Sequence, residues 1–350
     1  MTMHLSADFI ECASCGGEVT WEEKTHSNRC LDCGQTIPCI GHVHYPGRGN
    51  LAPELALTVE EFGKRWNRVY QKMGPLRENF LHSIAPVERT FFRDKVILDA
   101  GGGFGRLTKL MLDHGARHVV LLDLSSAVEA ASHYLEEYRD RVTIVRGDLL
   151  HPPLQKEQFD LVMCHGVLHH TGQPQQALHA LRAMLKPGTG SLILWVYAHE
   201  GNALMRMLVN TVRRFSMRIG DWGRWRLADL VDALLWLLTH LVYRPLSFLP
   251  GVGRRLWYGE YFLDFLFDTN KNNRMDRLQV YHDFLTTEIV EYYSKAQLAS
   301  WLKNEGFRKM ICNFHRQQSW GIFASLDPHT TCTPDEAQAM TDPALSILHL

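Results

Sequence analysis

No stretch of this 350-residue chain is a clean apolar run of membrane-spanning length. The longest strongly apolar segment, Leu227 to Tyr243, is interrupted by Asp229 and Asp232. It falls short of the roughly 20 apolar residues that a bilayer-crossing helix needs. The opening Met1-Thr-Met-His-Leu-Ser-Ala-Asp8 has neither the basic start nor the apolar core of a secretory leader. A dominant charge is missing too. Lys and Arg number 37 against 38 Asp and Glu, a formal net charge of −1. That balance removes any global electrostatic reason to bind nucleic acid or an anionic membrane, while a locally basic face stays open. Cysteine is scarce, eight in all, and four of the eight form two Cys-x-x-Cys pairs. Such usage suits a reducing cytoplasm and a metal site, not a disulfide framework, and a cytoplasmic protein is expected. The composition, 45% hydrophobic and 21% charged, is that of a globular chain with a sizeable core.

What is present is organised in zones. Residues 9–45 are rich in Cys, Gly and His, and Pro-Gly-Arg-Gly-Asn-Leu-Ala-Pro from residue 46 reads as a linker. From 95 to 198 short apolar strands alternate with helical patterns, which argues for a parallel sheet in an α/β fold. Residues 199–285 carry helical periodicity only. The α/β pattern then resumes with a helix at 294–305 and strands at 308–315 and 319–326, and residues 327–350 read as a polar tail with a short apolar end.

The strongest signal is Val96-Ile-Leu-Asp99-Ala-Gly101-Gly102-Gly103-Phe-Gly105-Arg-Leu107. A buried strand ends in a carboxylate, passes through a glycine turn and enters a helix. Glycines let the backbone approach a ligand where a Cβ would block it. A dinucleotide fingerprint needs a third glycine where Arg106 stands, and no Gly-Lys-Ser/Thr follows to make a phosphate loop. A carboxylate two residues before the first glycine suits a ligand with a cationic amino group better than a pyrophosphate. Two more acids end the next strands: Asp123, 22 residues after Gly101, where a ribose diol would be held, and Asp148. The competing reading is an α/β domain whose acids merely cap helices; three acids at three successive strand ends weigh against it.

With those residues in view, 95–198 resembles the class I S-adenosylmethionine-dependent methyltransferases. The resemblance implies a Rossmann-like seven-stranded sheet. Asp99, Gly101, Gly103 and Gly105 match the family's first motif, Asp123 its ribose-binding acid, and Asp148 with Leu149 the adenine contact. Phe159-Asp160-Leu-Val-Met-Cys164-His165-Gly-Val-Leu-His169-His170 matches the fourth-strand motif, with Cys164 beside the methionine part of the cofactor. Leu185-Lys-Pro-Gly-Thr-Gly matches the turn before the fifth strand, departing at Thr189, where the family usually has glycine.

Cys12-Ala-Ser-Cys15-Gly16 and Cys30-Leu-Asp-Cys33-Gly34 are separated by 14 residues. This spacing resembles a zinc ribbon with four thiolate ligands, a closed structural site whose metal supplies folding energy. Cys39, His42 and His44 follow closely as alternative ligands. The competing reading is a redox dithiol.

Methyl transfer is an in-line displacement, and a base is needed only where the acceptor must lose a proton. His165, His169 and Asp283 are the candidate acceptor-side groups, with His282 secondary, whereas His170 reads as a packing residue. The 199–285 insertion is expected to lid the acceptor, its arginines outnumbering acids between Arg206 and Arg255, with Trp222, Trp225, Trp236, Phe248 and Trp257 in or beside that stretch. The resulting division is a zinc ribbon (1–45), a linker with N-terminal helices (46–94), the cofactor-binding core (95–198), the helical insertion (199–285), the final helix and strands (286–328) and a tail (329–350). The expected function is methylation, at oxygen, of a small-molecule acceptor: a metabolite, glycan or natural product. The alternatives are a base methyltransferase of ribosomal or transfer RNA, and a methyltransferase-like scaffold that meets a protein partner through its zinc ribbon.

Overall fold

The computed structural model describes residues 8–47, 53–72, 84, 87–216, 218–249, 263, 274–287, 289–315, 318–333 and 345–350. Four short strands come first, β1 (Val19–Glu22), β2 (Ser27–Cys30), β3 (Thr36–Ile40) and β4 (Val43–His44). Helix α1 (Pro53–Val69) starts on a proline, whose missing N–H has no partner in a first turn anyway. Part of the expected linker is therefore helical. The alternating region follows as β5 (Val96–Ala100), α2 (Arg106–Asp113), β6 (His118–Asp123), α3 (Ala127–Tyr134), β7 (Val142–Arg146), β8 (Leu161–His165), α4 (Pro174–Met184) and β9 (Ser191–Tyr197).

The insertion comprises α5 (Ala203–Ser216), α6 (Asp221–Leu238), a more loosely wound turn at Thr239–Tyr243, a short turn at Arg244–Ser247, and α7 (Arg274–Thr286). Arg255 and Trp257 lie outside the described residues. Among the described residues, no helix is long and apolar enough to cross a membrane. The chain then forms α8 (Lys295–Asn304), β10 (Lys309–His315), β11 (Ser319–Ser325) and β12 (Leu345–His349). Ser294 opens α8 in a capping box with Gln297, each side chain bonding the other's backbone N–H.

The strands run in the order β1-β2-β3-β4-β7-β6-β5-β8-β9-β11-β10-β12. Strands β7, β6, β5, β8 and β9 are parallel, and β11 lies antiparallel between β9 and β10. These are the seven expected strands. Two additions lengthen the sheet: β4 pairs parallel with β7, and β12 pairs antiparallel with β10. The segment expected as a polar tail thus ends as a strand, its Leu345-Ser-Ile-Leu-His alternation laid along β10.

Period-two alternation assigns the strand residues to two cores. Leu98, Val120, Leu122, Val162 and Leu194 pack with Leu178 and Leu181 of α4 and Leu298 and Leu302 of α8. On the opposite face Ile97, Val119, Leu121, Leu161, Met163 and Ile193 pack with Met111 of α2 and Val128 and Ala131 of α3. The strand order reverses between β5 and β8, and the crevice beyond the carboxyl ends of strands at such a reversal is where open α/β sheets bind ligands.

Candidate active site

At that reversal the glycine turn is held from both sides. Gly101 has φ +79°, and a Cβ there would stand 2.3 Å from Val167 Cγ2. Gly105 has φ +91°, and its Cβ would meet Leu135 Cδ1 at 2.6 Å. Only glycine satisfies both the left-handed backbone and the close approach. Asp123, ending β6, accepts the Gly103 N–H at 2.9 Å and, through its other oxygen, the Ser125 N–H and hydroxyl at 2.8 and 2.6 Å. It ties the end of β6 to the turn after β5, while burial pushes its carboxyl upward against these hydrogen bonds.

Asp99 is 1% exposed and accepts the Thr108 hydroxyl at 2.6 Å. Burial raises it to about 7, so it is an internal brace of the turn instead of the open carboxylate that its sequence position promised. Asp148 accepts the Leu150 N–H at 2.9 Å, and Leu149 packs at the edge of the core. Helices α2 and α3 begin at Gly105 and Ser126 without side-chain caps, so none of the three acids is a helix cap. The Cys164 side chain is wholly buried in the core among Val162, Leu168 and Leu194.

Helix α1 supplies what the sequence reading missed. Trp66 lies above the glycine turn, its Nε1 3.6 Å from where a Gly103 Cβ would be, and its ring is 5.3 Å from Phe104. Asn67 of the same helix donates to the Ser126 hydroxyl at 3.1 Å. One residue before Trp66, buried Arg65 pairs with Asp283 at 2.5 Å and sits 4.2 Å over the Phe62 ring. The signal was an amphipathic stripe, Phe62, Trp66 and Val69, with an arginine set beside it.

Beyond the ends of β8 and β9 two of the acceptor-side candidates, His165 and His169, lie in an aromatic cluster, while Asp283 pairs with Arg65. His165 stacks on Trp195 at 4.8 Å, and His169 contacts Tyr197 at 4.2 Å and His170 at 4.1 Å. Tyr197 stacks in turn with Phe284 of α7 and with Tyr292, at 5.5 and 5.7 Å. Burial lowers His165 to about 3 and His170 to about 4, and takes His169 well below the ordinary imidazole value. All three are neutral near pH 7, and none is poised as a strong base. His170 holds Nδ1 against the Ile289 carbonyl at 2.7 Å, so Nδ1 carries the proton and donates. His169 is 0% exposed, and neither ring nitrogen has a partner in the protein. His282 is 2% exposed, packed 4.3 Å from the Trp225 ring and lowered by burial to about 3, apart from the His169 group.

Residues 97–188 match the methyltransferase domain family. The chain contains a class I S-adenosylmethionine-dependent methyltransferase domain. It is 39% identical over 72 residues to protein arginine N-methyltransferase 1 of Saccharomyces cerevisiae, covering 19% of this chain and 21% of that one. It is 26% identical over 179 residues to ubiquinone biosynthesis O-methyltransferase of Coxiella burnetii, covering 49% and 74%. The mitochondrial ubiquinone biosynthesis O-methyltransferase of Schizosaccharomyces pombe is 32% identical over 174 residues, covering 47% and 61%. The alignment thus spans about a fifth of the yeast arginine enzyme and about three quarters of the Coxiella protein.

Ahead of the methyltransferase domain, Cys12, Cys15, Cys30 and Cys33 present four sulfurs within 4.8 Å of one another. Cys12 and Cys33 are 3.7 Å apart, Cys15 and Cys30 3.5 Å. Four sulfurs at about 2.3 Å from a tetrahedral centre lie about 3.8 Å apart, so the spacing fits one ion. Gly16 and Gly34, both at φ +73°, return their N–H groups to the Cys12 and Cys30 carbonyls and form two equivalent turns. His44 is not part of this group. It is buried, accepts the Asn28 Nδ2 hydrogen at 2.6 Å through Nδ1, and packs edge-on to Trp21.

Proposed function

We propose that this chain transfers a methyl group from S-adenosylmethionine to an oxygen of a small-molecule acceptor. The fit of the cofactor rests on the glycine turn, tied to a partly exposed carboxylate and overhung by an indole. In this reading Asp123 holds the ribose hydroxyls, Asp148 and Leu149 flank the adenine, and Gly101, Gly103 and Gly105 let the main chain approach the methionine portion. Asp99 acts on the cofactor through the turn it braces, and Cys164 through its main chain. The cofactor supplies an electrophilic methyl group for in-line displacement. The protein aligns the acceptor and excludes water.

The observation that carries the small-molecule reading is the roof. Phe62 of α1 meets the His170 ring at 5.4 Å, Phe284 of α7 stacks on Tyr197, Arg65 and Asp283 join the two helices, and His169 beneath has no exposed surface. A base in folded RNA would have to displace that roof, whereas a small acceptor needs only a passage. His169, with both nitrogens free, is placed to accept a hydrogen bond from an acceptor hydroxyl and orient it. His165 lines the wall, and Asp283 positions Arg65. Relatives named as O-methyltransferases support oxygen as the acceptor atom. The four cysteines would bind structural zinc, which stabilises the N-terminal strands and, being fully ligated, takes no part in transfer.

Transfer of a labelled methyl group from S-adenosylmethionine, offered a small-molecule extract and bulk RNA in parallel, tests this. Label is expected in the extract. Label in RNA alone overturns the acceptor reading, and no cofactor binding overturns the enzymatic one.

A further inference from the structure

The acceptor region holds more hydrogen-bond donors than the protein satisfies. Trp195 Nε1, Arg213 Nη2 and Arg206 Nε are buried atoms without a hydrogen-bond partner, and both nitrogens of His169 are in the same state. Indole and guanidinium groups only donate. An unmet buried donor costs about 1–3 kcal/mol, more when charged, so three around one cluster indicate a missing acceptor.

Contacts tie these groups together. His169 and Trp195 have ring centroids 6.0 Å apart, and Tyr197 touches both at 4.2 and 5.4 Å. Tyr292, 5.7 Å from Tyr197, has the Arg206 guanidinium 5.6 Å over its ring. Arg213, 9% exposed, donates Nε to the Phe284 carbonyl at 2.9 Å and Nη1 to Asn210 at 3.1 Å and also interacts with the Tyr292 hydroxyl, which fixes the guanidinium, while its Nη2 has no hydrogen-bond partner. The charges of Arg65 and Arg213 both act on Tyr197 and His170, and those of Arg206 and Arg213 on Tyr292. Three arginines therefore surround one set of rings. Of the nearby carboxylates, Asp283 is taken by Arg65 and Glu291 accepts the Tyr293 hydroxyl at 2.6 Å. Positive charge is in excess where burial makes charge costly.

We propose that the acceptor is an aromatic molecule bearing an anionic oxygen group, carboxylate or phosphate, bound by Arg213 and Arg206, with its ring among Trp195, Tyr197 and Tyr292. A guanidinium donates in parallel to two oxygens of such a group, and the rings exclude neutral, highly hydrated acceptors. This assignment rests on the small-acceptor reading above and adds its chemical class.

The test titrates benzoate, phenyl phosphate and benzyl alcohol into the full chain, with and without S-adenosylhomocysteine, by ligand-observed NMR and tryptophan fluorescence. At least one anion should bind about tenfold or more tightly than benzyl alcohol, and the better anion identifies the group. Arg213→Gln should remove most of that preference and leave S-adenosylhomocysteine affinity unchanged. Arg206→Gln, which breaks no hydrogen bond made by the Arg206 Nε in the free protein, should lower the preference too, and stands in if Arg213→Gln misfolds. Equal affinity for benzyl alcohol and both anions overturns the proposal, as does full anion binding in both variants. Loss of S-adenosylhomocysteine binding by the unmodified chain would instead strike the methyltransferase reading. The titration without that compound then still reads the anion site.

Discussion

Replacing Asp123 by alanine removes one carboxylate that does two things at once. In the free protein its oxygens receive three donors, the Gly103 N–H and the N–H and hydroxyl of Ser125. The side chain is partly exposed at the end of β6, so water can replace part of what these donors lose. A cost to the fold of about 1–3 kcal/mol follows from leaving such donors unmet. The cost to the cofactor is separate. Hydrogen bonds from ribose hydroxyls to a charged acceptor contribute about 1.5–3 kcal/mol, which weakens affinity about 10- to 150-fold. Titration calorimetry with S-adenosylmethionine reads the second effect, and urea unfolding of the free protein reads the first. Ser125→Ala is the control. It takes away one donor to Asp123 but keeps the carboxylate, so it should disturb the turn slightly and leave affinity within about threefold. An Asp123→Ala protein that unfolds cooperatively and binds the cofactor with undiminished affinity would refute the assignment of Asp123 to the ribose.

Two further outcomes are expected. The purified chain should contain one zinc per molecule by elemental analysis, and Cys30→Ser/Cys33→Ser should lose it together with thermal stability; a metal-free protein with four freely titrating thiols at these positions would refute the site. Asp99 gives a pH signature. Burial raises it from 3.8 to about 7, so the folded state holds its proton more tightly than the unfolded chain. Its favourable contribution is present below about pH 4 and is lost as the pH rises through about 7. Asp99→Asn keeps an acceptor for Thr108 and does not ionise, so its stability relative to the unmodified protein should improve from about pH 4 to about pH 7 and level off above that, and a difference independent of pH would refute the buried-carboxylate reading.

The glycine turn and the acids at the strand ends were readable because each is a local pattern, an apolar run closed by a carboxylate and followed by residues that permit left-handed backbone. The two cysteine knuckles were readable for the same reason. Helix α1 was not. Nothing in Phe62, Arg65 and Trp66 distinguishes a helix that overhangs Gly103 from one that packs on any apolar surface, since the contact joins positions far apart in sequence. The burial of Asp99 was not readable, because sequence shows the carboxylate and not the Thr108 hydroxyl that it faces. His44 offered a plausible ligand by proximity along the chain, but its ring belongs to the packing around Asn28 and Trp21. Strand β12 escaped notice because pairing with β10 across some thirty residues leaves no mark beyond a short alternation.

The pairing of β4 with β7 has a consequence for how this protein fails. A parallel sheet ending at β7 would present the unpaired main chain of Val142-Thr-Ile-Val-Arg146, a β-branched segment suited to recruiting another chain. The Val43 and His44 register alongside Ile144 and Val145 occupies part of that row, and the cysteine turns sit just before it. Loosening the cysteine cluster therefore opens a template for self-association without touching the crevice. Damage at the sulfurs should first be seen as turbidity and high-molecular-weight species, while the molecules still in solution keep their grip on the cofactor.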